Sequence, residues 1–226
     1  GAVMNAVTTT LDHIVVAARS LDEGRAWCRE TLGVEASGGG KHDGLATHNT
    51  LLRLGAPDER RYLEIIAIDA DAGAPRFPRW FGLDSAAVQR EIAHGPRLVA
   101  WVARCAGAPD AIERFAATPG YAANVVRPAS RGDFRWRFAF TPDGERIAGG
   151  VLPHLIQWDV AAHPAERLPD SSVRLSSLLL GAPDPDAALD MLGLLALDDG
   201  FVHVGQSATP HLVATLTTPN GIVILD

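Results

Sequence analysis

The sequence predicts an α+β chain of repeated β-α-β-β-β modules, two of them paired and a third at the C-terminal end. Three observations predict it. A β-branched apolar run is followed by a capped helix, and that helix by three further strand-like runs. The same order returns from Leu98 and again from Val173. A recurrence at about 75 to 85 residues marks an internal repeat even where identity between copies is slight.

In the first module, Leu11 to Ala18 (LDHIVVAA) reads as a strand. It runs into SLDEGRAWCRETLG, where Ser20 is an N-cap, Glu23 completes a capping box and Gly33 supplies a left-handed stop. A short strand at Val34 to Ser37, a glycine-rich loop (GGGKHDG), a strand at Ala46 to Leu54 and a strand at Tyr62 to Ile68 complete the module.

The second module opens with the strand Leu98 to Arg104, and Pro109 stands where a helix-initiating proline belongs. A short strand near Asn124 to Val126, then FRWRFAF and HLIQWDV, follow. In the third, the strand Val173 to Leu180 precedes Asp184-Pro185, an N-cap with proline at the first helical position. FVHVG, HLVATLT and GIVIL are its remaining strands, the last two joined through a Pro219-Asn220-Gly221 turn.

The expected organisation is therefore one domain over 8–160, with modules 11–69 and 97–160, and a third module over 173–226. Two connectors stand out: 69–96, which carries RFPRWFGLD and a helix at Ser85 to Ala93, and 161–172, a proline-bearing polar linker.

Composition narrows the function classes. A net charge of −7 argues against broad nucleic-acid binding, which needs clustered cations. No run approaches the ~20 apolar residues of a membrane span, and no secretory signal is visible, so a cytoplasmic location is expected. Cys28 and Cys105 are too few for a disulfide scaffold and read as buried thiols. Gly1 ahead of Met4 reads as a processed or added start.

Leu11-Asp12-His13, Leu32-Gly33-Val34, Gly39-Gly40-Lys41-His42, Thr47-His48-Asn49 and Tyr62-Leu63-Glu64 together resemble the vicinal-oxygen-chelate superfamily and, within it, the glyoxalase-like domain proteins. The resemblance implies the glyoxalase/bleomycin-resistance/dihydroxybiphenyl dioxygenase-like fold, in which paired modules curve around a cleft. It also implies a divalent metal (Fe, Mn, Ni or Zn) held by a first-strand His and a fourth-strand Glu, with further ligands from the next module. His13 and Glu64 occupy those two positions.

Glu64 is the strongest anomaly on physical grounds. It lies among apolar residues, where an ionised carboxylate costs several kcal/mol unless it is paired, metal-bound or facing a wet cavity. Two readings stand: a salt bridge to Arg53 or Arg76, or a functional carboxylate paired with His13 as catalytic residue and metal ligand. Coincidence with the superfamily positions favours the second. The second module departs from the metal pattern, offering Val99, Ala100 and Trp101 on its first strand and Gln157 at the place of Glu64. A metal is therefore one expectation and none is the other.

His42, Asn49, Trp80 and Gln157 are the expected substrate-binding residues, with the alternative that His42 is merely solvated in a flexible loop and that Trp80 only anchors the connector. Arg76 and Arg79 are candidates for a substrate carboxylate. His48 is placed at the surface, and His94, His163, His203 and His211 are read as structural or exposed.

Two functions follow. One is an enzyme, a metal-dependent lyase, isomerase or dioxygenase on a small oxygenated substrate, or an acid–base enzyme using Glu64 and His13 without metal. The other is a non-catalytic small-molecule binding or sequestering protein. The odd third module predicts a homodimer or a cover over the first two.

Overall fold

Two strands of opposite direction lie side by side at the centre of the architecture: β1 (Thr8–Ala17) and β5 (Arg97–Ala106). The computed structural model describes residues 6–226, so the reading of Gly1 and Met4 lies outside the described residues. Each central strand opens a module whose last strand returns parallel beside it. β4 (Arg61–Ile68) pairs with β1, and β8 (His154–Trp158) pairs with β5.

Outward from β4 lie β3 (Thr47–Leu54) and β2 (Lys41–His42); outward from β8 lie β7 (Phe134–Phe140) and β6 (Val125–Arg131). The result is one curled eight-stranded sheet in the order β2-β3-β4-β1-β5-β8-β7-β6.

Period-two alternation divides that sheet between two cores. On its outer face Ile14, Val16, Leu63, Ile65, Trp101 and Ala103 meet helices α1 (Leu21–Trp27) and α3 (Ala111–Ala116). On its inner face Val15, Ala17, Ile66, Val102, Phe138 and Ile156 meet the connector after β4. That connector drives Trp80, Phe81 and Leu83, with Val88 and Ile92 at helix α2 (Ala86–Glu91), down onto the sheet. It is a packed roof.

The capping logic of the sequence is realised. Ser20 Oγ accepts from the Glu23 amide at 3.1 Å, and Gly33 takes φ 74° at the end of the helical run. Ser85 and Asp184 likewise cap their helices. Other local expectations need correction. Val34 to Ser37 forms only a single bridge, Ser37 to Leu51, and the second strand lies beyond the glycines at Lys41–His42. β6 runs to Arg131, well past Val126, with Pro128 tolerated because the strand is at the sheet edge. Pro109 precedes α3 by two residues. The 161–172 linker is no loose tether: helix α4 (Pro164–Arg167) is capped by His163, which is buried.

The C-terminal region forms a second, four-stranded sheet with the predicted β-α-β-β-β order. It comprises β9 (Arg174–Ala182), α5 (Pro185–Leu194), β10 (Val202–Gln206), β11 (His211–Thr218) and β12 (Gly221–Leu225). Its strand order, β10-β9-β11-β12, differs from the other two modules. Here the strand directly after the helix lies beside the first, because the segment leaving α5 is tied to β1 through Thr9, Ala196 and Asp198. Leu178, Leu180, Leu212 and Leu216 share one continuous core with Leu11 and Trp101. Asp199 accepts from the Leu11 amide at 2.9 Å and pairs with Arg61 at 3.1 Å. Among the described residues, no helix is long and apolar enough to cross a membrane.

Candidate functional site

The polar residues of the first module collect on the inner face of β1, β3 and β4. Register places Glu64 beside Val15 and opposite Leu51, so it shares a face with His13, Asn49 and Tyr62. A register shift of β1 against β5 between Leu11 and His13 leaves Asp12 in a bulge. A bulge lets two successive side chains leave one side of a strand, and here both Asp12 and His13 do.

Asp12 is fully buried and accepts from every direction. His13 Nδ1 lies 2.6 Å from Oδ2; His163 Nε2 lies 2.8 Å and Trp158 Nε1 3.1 Å from Oδ1, with Arg104 at 3.5 Å. Burial alone raises a carboxyl pKa, but the imidazoles of His163 and His13 outweigh it here and hold Asp12 well below the usual carboxylate range. The Ala165 amide donates to His163 Nδ1 at 3.1 Å, so Nε2 is the nitrogen of His163 that carries hydrogen toward Asp12. An ionised Asp12 likewise holds the proton of His13 on Nδ1. That leaves His13 Nε2 as the nitrogen facing the site.

Opposite it stands Glu64, with Oε1 3.6 Å from His13 Nε2. Oε2 accepts from Asn49 Nδ2 at 2.6 Å. The amide of Asn49 is oriented by its other end, since Oδ1 accepts from the Gly40 N–H at 3.0 Å. This contact requires glycine nearby: a Cβ on Gly39 would sit 2.1 Å from the Asn49 carbonyl oxygen, and Gly39 takes φ 89°. Glu64 Oε1 is buried without a hydrogen-bond partner among the described residues. Such an atom costs about 1–3 kcal/mol and points to a function. Neither arginine expected as its salt-bridge partner reaches it. Arg53 bonds the carbonyls of Gly55 and Leu168, and Arg76 pairs with Asp43.

His42 Nε2 lies 3.8 Å from Glu64 Oε2, its Nδ1 2.9 Å from Thr47 Oγ1, and Trp80 Nε1 donates to the same hydroxyl at 3.2 Å. Burial, helped by the charge of Arg131, pushes His42 down to about 3, so it is neutral at ordinary pH. His42 and Trp80 are therefore in place at the site. His48 is half-buried near Asp69 (3.8 Å) and does not join them.

Gln157 is the correction. It points through the opposite face of β8, accepting from the Ile112 amide at 2.9 Å and donating to the Ala108 and Pro109 carbonyls. The inner-facing positions of β8 are those of His154, Ile156 and Trp158, and a one-residue phase difference decides which set meets the cavity. His154 is buried between Phe81 and Phe138, donates to the Ala139 carbonyl, and is pushed down to about 4 by burial.

The space around these groups has two parts. A chamber of about 30 Å³ touches His13, Asn49, Tyr62 and Arg131, enough for a water-sized group. A cleft of about 380 Å³, lined among others by Lys41, Phe77, Arg127 and Phe140, opens beside it. His42, Trp80 and Trp136 line both and form the partition. Asp12, His163, Arg127 and Arg131 escaped sequence reasoning as site residues. The signal for Asp12 was present, since it is an acid in the same apolar surroundings that drew attention to Glu64.

The donors meet a metal only halfway. His13 Nε2 and Glu64 Oε1 stand at a spacing that one ion can span, and Asp12 orients His13 as outer carboxylates orient metal-bound histidines. A resident ion needs three or four protein donors. The nearest third donor, His42 Nε2, stands 3.8 Å from Glu64 Oε2, the oxygen already engaged by Asn49, and not at Oε1; the facing second-module positions are Val102, Ala100 and Ile156. Among the described residues no three His, Cys, Asp or Glu side chains stand together as a metal-holding group. The donor set does not fit a protein-held ion.

The chain matches the model of the glyoxalase-like domain family over residues 11–194 and belongs to that family, within the vicinal-oxygen-chelate superfamily. No curated protein matches it. Among solved structures, a hypothetical protein from Staphylococcus aureus aligns with a TM-score of 0.60 at 10% identity, covering 96% of this chain and 99% of its own. That likeness extends the shared fold through the second sheet. Methylmalonyl-CoA epimerase from Mycobacterium tuberculosis aligns with a TM-score of 0.39 at 21% identity (67% and 88% covered). The Streptomyces coelicolor epimerase, complexed with 2-nitronate-propionyl-CoA, aligns at 0.41 and 17% (70% and 98% covered).

Proposed function

We propose that this glyoxalase-like protein is an enzyme that moves a proton at a carbon beside a carbonyl, with Glu64 and His13 as its acid–base pair. The observation that carries the proposal is the buried Oε1 of Glu64, which lacks a hydrogen-bond partner among the described residues and faces His13 Nε2 at 3.6 Å. A group set against both would meet a base and an acid together. Glu64 takes the proton from carbon, the C–H electron pair moves into a C=C bond, and the carbonyl oxygen accepts a proton from Nε2 of His13 in its imidazolium form, which keeps its other proton on Nδ1 toward Asp12. Returning the proton to the other face of the carbon gives epimerisation, and, where that carbon bears a hydroxyl, returning it to the former carbonyl carbon of the enediol gives isomerisation. Asn49 holds the carboxylate in place, and Asp12 supports the charge that His13 carries when protonated.

The test uses 2-oxo-4-phenylbutyrate and its neutral methyl ester in deuterated water, with loss of the C3 proton signal followed by NMR. The protein is expected to accelerate exchange and Glu64→Gln to remove at least a hundredfold of the acceleration, as loss of a general base does. Binding of either compound with no exchange would instead favour a sequestering protein, a reading supported by the apolar second-module wall.

We further propose that a second copy of the chain covers the outer face of the C-terminal sheet. Ile222 and Ile224 on edge strand β12 are 75% and 62% exposed, and Leu179, two strands away on β9, 41%. An uncovered apolar edge strand is a template for pairing. Light scattering should give twice the chain mass; a monomer at micromolar concentration would contradict it.

A further inference from the structure

We infer that the cleft beside the Glu64 site takes a small organic anion with a flat apolar body, its carboxylate or phosphate group held by Arg127, with the charge of Arg131 across the partition adding to the attraction. The inference rests on the Glu64 reading only for where the reacting carbon lies, since the anion site is argued from other residues.

β6 is the edge strand of the second module, and its inner face carries Arg127 and, four residues on, Arg131. Across the ladder they sit opposite Phe138 and Phe134. The Arg127 guanidinium lies between two rings, 4.0 Å from the centre of Phe77 and 4.1 Å from that of Phe140. It lines the larger cleft, while Arg131, 6.0 Å from the centre of Trp136, lines the small chamber. One cation therefore stands on each side of the partition that His42, Trp80 and Trp136 make.

What distinguishes them is the lack of a counter-ion. Among the described residues neither guanidinium forms a salt bridge or a hydrogen bond. The other cations of the cleft are neutralised: Arg76 pairs with Asp43 at 2.7 Å, and Lys41 with Asp69 at 3.4 Å. Among the described residues Arg90 and Arg135 also lack an acid partner, but they are exposed, where water serves. Arg127 and Arg131 are half-buried. In a chain of net charge −7, two half-buried unpaired guanidiniums on one inner strand face are a place for a negative group.

The surroundings fit the role. Two aromatic rings pack against the Arg127 guanidinium and none of its N–H groups is engaged among the described residues, which leaves them to donate to carboxylate or phosphate. Gly40 makes room for Arg131, because a Cβ there would meet its Cδ at 2.9 Å. Phe77, Trp80 and Phe140 supply the apolar wall for the body of the ligand. Arg76 and Arg79, the arginines singled out from the sequence, do not fill this role. Arg76 is bound to Asp43, and Arg79 to Asp84 and the Ala46 carbonyl.

The experiment compares 2-naphthoate, 2-naphthyl phosphate and the neutral 2-naphthamide on the whole chain, read by quenching of tryptophan fluorescence. One or both anions should bind at least tenfold more tightly than the amide, and which of them does so tells carboxylate from phosphate. Arg127→Met should weaken the preferred anion about tenfold and Arg131→Met about threefold, both leaving the amide unchanged, while Arg76→Met, at a paired and exposed site, should change neither. Equal binding of anion and amide, no binding of any of the three, or anion binding unaltered in both variants would overturn the inference. Glu64→Gln should keep anion selectivity. If selectivity fails while Glu64-dependent exchange persists equally on acid and ester, only the anion site is wrong.

Discussion

The two halves of the curled sheet share a strand plan, each with its last strand returning parallel to its first, yet their inner faces differ. The first half presents Asp12, His13, Asn49 and Glu64 in one bonded network. The second presents Val102, Phe138, Phe140 and Ile156, with His154 enclosed among the rings, Arg104 turned to Asp12 beside the first half, and two further arginines on the inner face of its edge strand. On the proposed reading one scaffold is divided between chemistry and binding: the polar half handles protons, and the apolar half with its edge cations shapes what can be held against them.

Breaking the polar half should cost the most. Asp12→Ala removes the acceptor shared by His13, His163, Trp158 and Arg104, and loss of one partner in a buried ionic network costs about 3–5 kcal/mol. Val102→Ala, directly across the sheet from His13, removes only apolar packing, at about 2 kcal/mol. Urea denaturation of both variants checks the contrast. Asp12→Ala being no more harmful than Val102→Ala would show that the network does not hold the first half together.

The next effect is one of pH. His154 and His42 have folded-state pKa values of about 4 and about 3, lowered chiefly by burial, whereas the unfolded chain binds those protons near 6.5. Below 6.5 the unfolded state therefore carries more protons, and stability falls on acidification until the folded-state values are reached. Each histidine adds about 1.4 kcal/mol of loss per pH unit inside that window. His154→Phe, which keeps a ring against Phe138, should flatten the decline between about pH 6 and 4. An unchanged slope in a series of denaturation curves would show that His154 takes up its proton while folded.

Much of this was legible in the sequence because it is local. Strand β1, the Ser20 capping box, the Gly33 stop and strand β4 all declare themselves within a few residues, and Glu64 is conspicuous as an acid inside an apolar run. Its pairing with His13 is expected from the resemblance to the superfamily's first-strand and fourth-strand positions, and the same resemblance puts Asn49 beside the cavity; the Asn49–Glu64 hydrogen bond is not foreseen from the sequence. Other features depend on partners far away in the chain. His163 lies 151 residues from Asp12, and nothing in AHPAER announces that contact. Arg127 and Arg131 were hidden because a strand containing Pro128, Ala129 and Ser130 reads as loop. Gln157 was misplaced by a single step of phase, which in a strand is the whole difference between facing the cavity and capping a helix outside it.

The division between a chemical half and a binding half rests on Glu64, and proton exchange tests it most directly. In deuterated water the protein should speed loss of the C3 proton of 2-oxo-4-phenylbutyrate, and Glu64→Gln should abolish the effect while the variant still binds 2-naphthoate or 2-naphthyl phosphate. Exchange that continues undiminished in Glu64→Gln would contradict the account.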